Sequence, residues 1–456
     1  MPNESTIAAN HNVVIQGVSE STLTLNVNGE VREIHNQLAE LKGLLQTLKV
    51  QNVQYADKIY NIEHIDEANF GFVTGKKAFN ESLTKQLIEA IKPYSVPAQR
   101  FLEKVTAIPG WENQLHISDK AKEIIAYSFV GVIGIQLSKL MAIGKEDFSE
   151  AKQRKYIEKC IQIAKRSLDL VCFTLVSKLW DAQKQKPRPF SEAQRTVLAR
   201  RFDGAFEPSV DEQFRLLQVL HEIFSAKTDA LAFPMPELGE FAADLTEGSA
   251  FHQICQALQA LNEKLDKSQY DLLDCFEAET QLAAFFRYFH FLVNYRMASI
   301  KHIGYRHIRN ADAHYLHHYA ALGIDSKANV DAEKINYTPQ TVDTDAVLLY
   351  RGDNYAENIN LFPFVIDYNA LTLEQGSKVC FYHCKEISDG SIEYLFLEDN
   401  STIDIARKGL LKPDTDYNEL MMNRDNQKIL SLDSVVDQFR EARRCLLGDE
   451  PNFDDL

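Results

Sequence analysis

Arg309-Asn310-Ala311-Asp312-Ala313-His314 sets an arginine and a histidine apart by four residues, with a polar side chain directly after the arginine. Those two residue types suit phosphodiester chemistry. An imidazole titrates near neutral pH and can accept the proton of a ribose 2′-hydroxyl, while the guanidinium offers a planar fork to phosphate oxygens. Metal-free RNA cleavage asks for such a proton acceptor and such a phosphate stabiliser. Arg309, Asn310 and His314 are therefore the candidate catalytic residues, with Asn310 orienting the imidazole. Asp312 argues the other way, since a carboxylate at the site repels phosphate unless Arg309 or Arg306 pairs with it.

The surrounding stretch, residues 281–323, holds six of the thirteen histidines: His290, His302, His307, His314, His317 and His318. It also holds Arg287, Arg296, Lys301, Arg306 and Arg309, with no carboxylate between Glu279 and Asp312. In a chain of formal charge -16 this is a local reversal of sign. A pI near 5.3 makes the whole molecule repel nucleic acid and anionic membrane, so any RNA must be met by a local patch. Arg296, Lys301, Arg306 and His307 are the candidate nucleic-acid contacts. Two other uses of the stretch compete. One is a polar helix junction, with Gly304 ending one helix, Asn310 capping the next and Gly323 ending that. The other is a metal site at His314 and His318, which lacks the further ligand and carboxylate of a zinc helix.

The elements that must position these residues read as mainly α. Apolar periodicity is helical from Asn80 to about Ser326, with capping boxes at Ser191–Gln194 and Ser209–Glu212. The lysines of the long helix that starts near Ser149 read as a solvated face. Ahead of the bundle, Val13–Ile15 and Thr22–Val27 read as strands, as do residues 58–65 and 69–74. Between them, Val31, Ile34, Leu38, Leu41, Leu45 and Leu48 form a short heptad seam. Gly71–Lys77 is not a phosphate loop, having three residues between its glycines and Lys77 where Ser or Thr is required. After Asp331 the period becomes that of strands, at Ala346–Tyr350, Leu361–Asp367, Lys378–Cys384 and Ile392–Leu397, followed by a helix over Leu432–Leu447 and an acidic tail. The fold class expected is a mainly α helical bundle with a small α/β N-terminal module and a C-terminal antiparallel β unit. The divisions expected are 1–76, 77–330 and 331–456.

Seven scattered cysteines, an odd number, read as reduced core residues of a cytoplasmic protein. Cys380, His383 and Cys384 do not make a zinc site by this reading: on a regular strand the cysteines face one way and the histidine the other, and no second ligand pair follows. No metal and no cofactor is expected. Ile124–Ile135 is apolar but too short to span a bilayer, so no membrane partner is expected. Arg351-Gly352-Asp353 is a plain turn.

Arg309–His314, with Asn310 after the arginine, matches the Arg-x4-His motif of HEPN domains, which are helical bundles of toxins, abortive-infection proteins and RNA-guided RNases. The resemblance implies a metal-independent endoribonuclease that cuts across a two-domain interface, hence a homodimer or higher homo-oligomer acting on RNA. Residues 13–46 resemble the small N-terminal adaptor modules of bacterial immune proteins, and LFPFVIDYN with its aromatic hairpin is similar to β units that trail helical modules in such proteins. That implies an antiphage defence protein with a partner effector or sensor held through residues 1–76 or the C-terminal β unit. The alternative within this resemblance is a non-enzymatic sensor or adaptor whose bundle is only a scaffold.

Overall fold

The computed structural model describes residues 79–108, 110–146, 149–226, 231–324, 333–339, 341–385, 390–409 and 421–448, together with four short strands nearer the N-terminus. Those strands form two antiparallel pairs, β1 (Asn12–Val18) with β2 (Ser21–Asn26) and β3 (Asn61–Ile62) with β4 (Ala68–Asn69). The heptad seam, Gly71–Lys77 and the acidic tail lie outside the described residues.

The chain divides into two compact units. One comprises Met1–Ile125, Ser138–Ile161 and Ala260–Arg287; the other comprises Ala126–Leu137, Gln162–Gln259 and Tyr288–Leu456. Among the described residues, nine helices of two turns or more run in order between residues 81 and 289: α1 (Glu81–Ile91), α2 (Val96–Val105), α3 (Leu115–Ser128), α4 (Gly131–Gly144), α5 (Glu150–Gln185), α6 (Glu192–Asp203), α7 (Val210–Phe224), α8 (Ala250–Asp266) and α9 (Leu272–Phe289). The apolar run at Ile124–Ile135 is broken between α3 and α4, and Ile125, Phe129, Val130 and Ile133 are buried. Among the described residues no helix is long and apolar enough to cross a membrane.

The first unit is pinned by a buried carboxylate. Glu279 of α9 accepts the backbone N–H groups of Asn80 and Leu83 at 3.2 and 3.0 Å, so a side chain from α9 supplies acceptors at the N-terminus of α1. Tyr156 Oη donates to the same carboxylate at 3.0 Å, and burial pushes the Glu279 carboxyl above its ordinary range. The lysines of α5 are not all on a solvated face. Lys152 and Lys159 are buried, and the Lys152 ammonium reaches Gly144 O at 3.1 Å while lying over the Phe79 ring. A lysine next to the helix start can satisfy the free carbonyls that end α4, which is a reason for burial that helical periodicity does not carry.

In the second unit both expected capping boxes are present, at Ser191/Gln194 and Ser209/Glu212, and they open α6 and α7. The largest departure from the sequence reading lies after α9. A 3-10 turn, His290–Asn294, ends the helix, and the chain runs out as β5 (Tyr295–Arg306), β6 (His314–Ala321) and β7 (Glu333–Thr338) instead of continuing helical to Ser326. With β8 (Val347–Arg351) and β9 (Asn358–Asn360) these make a five-stranded antiparallel sheet of order β7-β6-β5-β8-β9. The sheet runs across residue 330, because β7 pairs with β6. A β-bulge between Ile300 and His302 explains the misreading. It puts Ile300 and Ile303, three apart, on one face, and that spacing imitates a helix.

A second, four-stranded antiparallel sheet follows: β10 (Val365–Asp367), β11 (Val379–Lys385), β12 (Ile392–Phe396) and β13 (Thr402–Ile405), in that order. Between β10 and β11 lies α10 (Tyr368–Leu371), and α11 (Arg424–Leu447) closes the chain. Rings from α5, α6, α11 and this sheet interlock around Phe173, Phe202, Phe364, Tyr382 and Phe439, with centroids 4.6–6.4 Å apart. Rings at that spacing add about 0.5–1.5 kcal/mol per pair beyond their burial. This cluster fixes β11 against the helices.

Candidate functional site

Register decides which side chains of the β5–β6–β7 ribbon share a face, because directly paired residues in antiparallel strands project to the same side. Arg306 pairs with His314; Gly304 pairs with Leu316, which pairs with Tyr337; His302 pairs with His318, which pairs with Ile335. One face of the ribbon thus presents Arg306, His314, Tyr337, His302, His318 and Ile335. The other turns Ile300, Ile303 and Tyr319 onto Ala346, Leu348 and Tyr355. The first face is open: Tyr337 and Ile335 are 53% and 60% exposed.

The tip of the ribbon carries the Arg309–His314 stretch. Arg309 and Asn310 are exposed residues of the loop between β5 and β6, and Asn310 has a φ of 67° where the chain reverses. Asn310 therefore caps no helix, and the helix N-terminus that would have attracted phosphate is not there. The Asn310–His314 pairing on one helical face goes with it. His314 opens β6. Its Nδ1 lies 3.1 Å from Asp312 O, a carbonyl that only accepts, so Nδ1 carries the proton and Nε2 is the basic nitrogen. The imidazole stacks on Tyr337 with centroids 4.7 Å apart and planes 6° from parallel. The guanidinium directly across the ladder is that of Arg306, not Arg309.

The remaining expected contacts divide. Arg306 and His307 are exposed at the tip, His307 lying against Tyr305, itself 65% exposed. Lys301 is taken up elsewhere: its ammonium sits 2.5 Å from the fully buried Asp367 carboxylate and donates to Gly376 O at 2.8 Å. Arg296 donates to the carbonyls of Val293 and Tyr295 at 2.9 and 2.8 Å. Lys301 thus ties the sheet to Asp367, whereas Arg296 is exposed and bonds carbonyls one and three residues before it. His314 and His318, helical neighbours in the sequence reading, are four residues apart on a strand, roughly 13 Å, and share no metal. His302 and His318 face each other instead, with centroids 5.6 Å apart.

Sequence reasoning missed Tyr337, Ile335 and Lys334 because it put a domain boundary ahead of them. Their signal was period-two alternation in EKINYT, too short to read without its partner strand. It also misjudged His383 and Cys384. A bulge in β11 between Tyr382 and Cys384 breaks the alternation, and both side chains come to Glu393 on β12. No family model, curated protein or solved structure matches this chain.

Proposed function

We propose that the β5–β6–β7 ribbon is a recognition surface for single-stranded RNA, in a non-enzymatic sensor or adaptor of bacterial antiphage defence. The observation that carries this reading is the open face on which Tyr337 stacks on His314 beside Arg306, with Arg309 and His307 at the tip. Single strands are bound by exposed rings on which bases stack, together with cations that follow the backbone. Tyr337 has one ring face on His314 and is more than half exposed, so a base can continue the stack. The resemblance of residues 13–46 to adaptor modules supplies the defence context, a partner effector and a homo-oligomer.

The spacing of the histidines supports binding over cutting. Cleavage through a 2′-hydroxyl needs a base and an acid on opposite sides of one phosphate. On the open face of the strands the histidines nearest His314, His302 and His318, lie about 13 Å along the ladder, and His307, beside Arg306 at the tip, lies against Tyr305. A second reading, endoribonuclease activity completed by a second copy, is favoured by one observation: the Asp312 carbonyl fixes the His314 tautomer with Nε2 as the free base.

Fluorescence anisotropy with a labelled oligoribonucleotide in EDTA, run beside a denaturing gel, tests both. The adaptor reading expects salt-sensitive binding and intact RNA. Tyr337→Ala should weaken binding about 5- to 150-fold, the equivalent of about 1–3 kcal/mol for one lost base stack. Arg306→Ala should lower the salt slope by about 0.7, the share of one phosphate on a single strand. Cleavage abolished by His314→Ala would favour the nuclease. Binding unchanged in both variants would remove RNA from the ribbon.

A further inference from the structure

We propose that His383, Cys384 and Glu393 form a zinc site on the four-stranded sheet, with Glu207 holding the histidine from behind. The three side chains bring one nitrogen, one sulfur and one carboxylate oxygen to within 4.8 Å of one another. His383 Nε2 lies 3.5 Å from Glu393 Oε1, and Cys384 Sγ donates to the same oxygen at 3.2 Å. Zinc bonds of about 2.0–2.3 Å at tetrahedral angles set donors about 3.3–3.8 Å apart, so two of these separations are already close to what the ion asks. Metal entry would take the place of the thiol proton now shared with Glu393.

The bulge is what assembles the donors, and the fold holds it firmly. Arg201 donates to the carbonyls of Tyr382 and His383 at 2.7 and 3.0 Å, and its guanidinium lies over the Tyr382 ring. Lys385 N donates to Gly204 O at 3.0 Å, tying the far end of the bulge to the end of α6. Without the bulge His383 and Cys384 would face opposite sides of the sheet.

The second independent observation is the other ring nitrogen. His383 Nδ1 is buried and makes no hydrogen bond, and it faces Glu207 Oε1 at 3.9 Å. Histidines that bind metal through one nitrogen characteristically present the other to a carboxylate, which fixes tautomer and ring orientation. Glu207 is itself held by Arg166 and Lys165, at 2.7 and 2.6 Å. A thiolate and the Glu393 carboxylate would cancel the charge of a divalent ion. Of the nearby cations, Arg166 is paired with Asp169 and Glu207, and Arg201 lies 3.8 Å from Asp169 while holding the Tyr382 and His383 carbonyls. Thiolate, imidazole and carboxylate together suit zinc over the harder magnesium or calcium. Three protein donors leave the fourth tetrahedral position to water or an outside ligand.

Full-length protein produced with zinc, dialysed and assayed by elemental mass spectrometry should hold one zinc per chain, and Cys384→Ser should lose it while Cys445→Ser keeps it. Cobalt added to the chelator-treated wild-type chain should give a thiolate-to-cobalt charge-transfer band, absent in Cys384→Ser. Glu207→Gln, which keeps all three donors, should weaken zinc binding about 10- to 100-fold as a positioning residue. A wild-type chain with neither retained zinc nor the cobalt band overturns the proposal without reference to any variant. So does a Cys384→Ser chain that keeps both. If Cys384→Ser fails to fold by circular dichroism, the wild-type cobalt band and the Glu207→Gln affinity decide alone.

Discussion

Glu207→Gln, made in protein stripped of metal by a chelator, removes one negative charge and almost no volume from the partly buried ion-pair cluster of the second unit. Glu207 binds Arg166 Nη2 at 2.7 Å through one oxygen and Lys165 Nζ at 2.6 Å through the other. Arg166 is buried, and its Nη1 meets Asp169 at 2.9 Å. Burial by itself raises the Glu207 carboxyl, but the Arg166 guanidinium and the Lys165 ammonium outweigh it and bring it from 4.5 to about 2. At about 1.4 kcal/mol per pH unit that difference is worth roughly 3 kcal/mol to the folded state. Solvent over a side chain 29% exposed trims the figure, to about 2–3 kcal/mol. The sign follows from a depressed folded value: the stabilisation is complete above the ordinary 4.5 and is lost as pH falls toward about 2. Urea unfolding of wild type and Glu207→Gln, followed by circular dichroism across that range, should give a gap of about 2–3 kcal/mol near neutrality that closes as the medium becomes acid. A gap below about 0.5 kcal/mol at neutral pH, the size of an ordinary surface change, would refute the reasoning. So would a gap that does not change with pH.

Three further outcomes follow. His314→Ala should leave the melting temperature within about 2 °C of wild type, because the ring is held by one local hydrogen bond and one stack at the end of a ribbon. Lys301→Met should instead lower stability by about 3–5 kcal/mol in urea unfolding, since it leaves the fully buried Asp367 carboxylate without its cation. Leu38→Asp with Leu45→Asp should lower the mass seen by light scattering if the heptad seam mates chains; an unchanged mass would separate that seam from assembly.

What the sequence made legible was mostly local. Ser191 and Ser209 announce their helices because a capping box is spelled out within four residues. Three of the four strands of the second sheet were found within a few residues of their bounds, as at Val379–Lys385 and Ile392–Phe396, while β13 at Thr402–Ile405 was not named. The ribbon was not, because its decisive residues are set by pairing between distant segments. Arg306 meets His314, and Leu316 meets Tyr337, only through register, which no single segment encodes. Bulges did the rest of the damage. At Ile300–His302 one made a strand look helical, and at Tyr382–Cys384 another brought His383 and Cys384, set aside with Cys380 in the sequence, together beside Glu393. Net charge misled in a different way, since Lys301 counts toward a basic stretch yet is consumed by Asp367.

Ultraviolet cross-linking of a 4-thiouridine oligoribonucleotide to the full chain, with the joined peptides identified by mass spectrometry, tests the central claim most directly. The account predicts cross-links concentrated at Tyr337 and its neighbours on the open face, His302, His314 and His318, lost in high salt and reduced in Arg306→Ala. Efficient cross-linking confined to peptides outside residues 295–338, or none at concentrations where anisotropy reports binding, would contradict it.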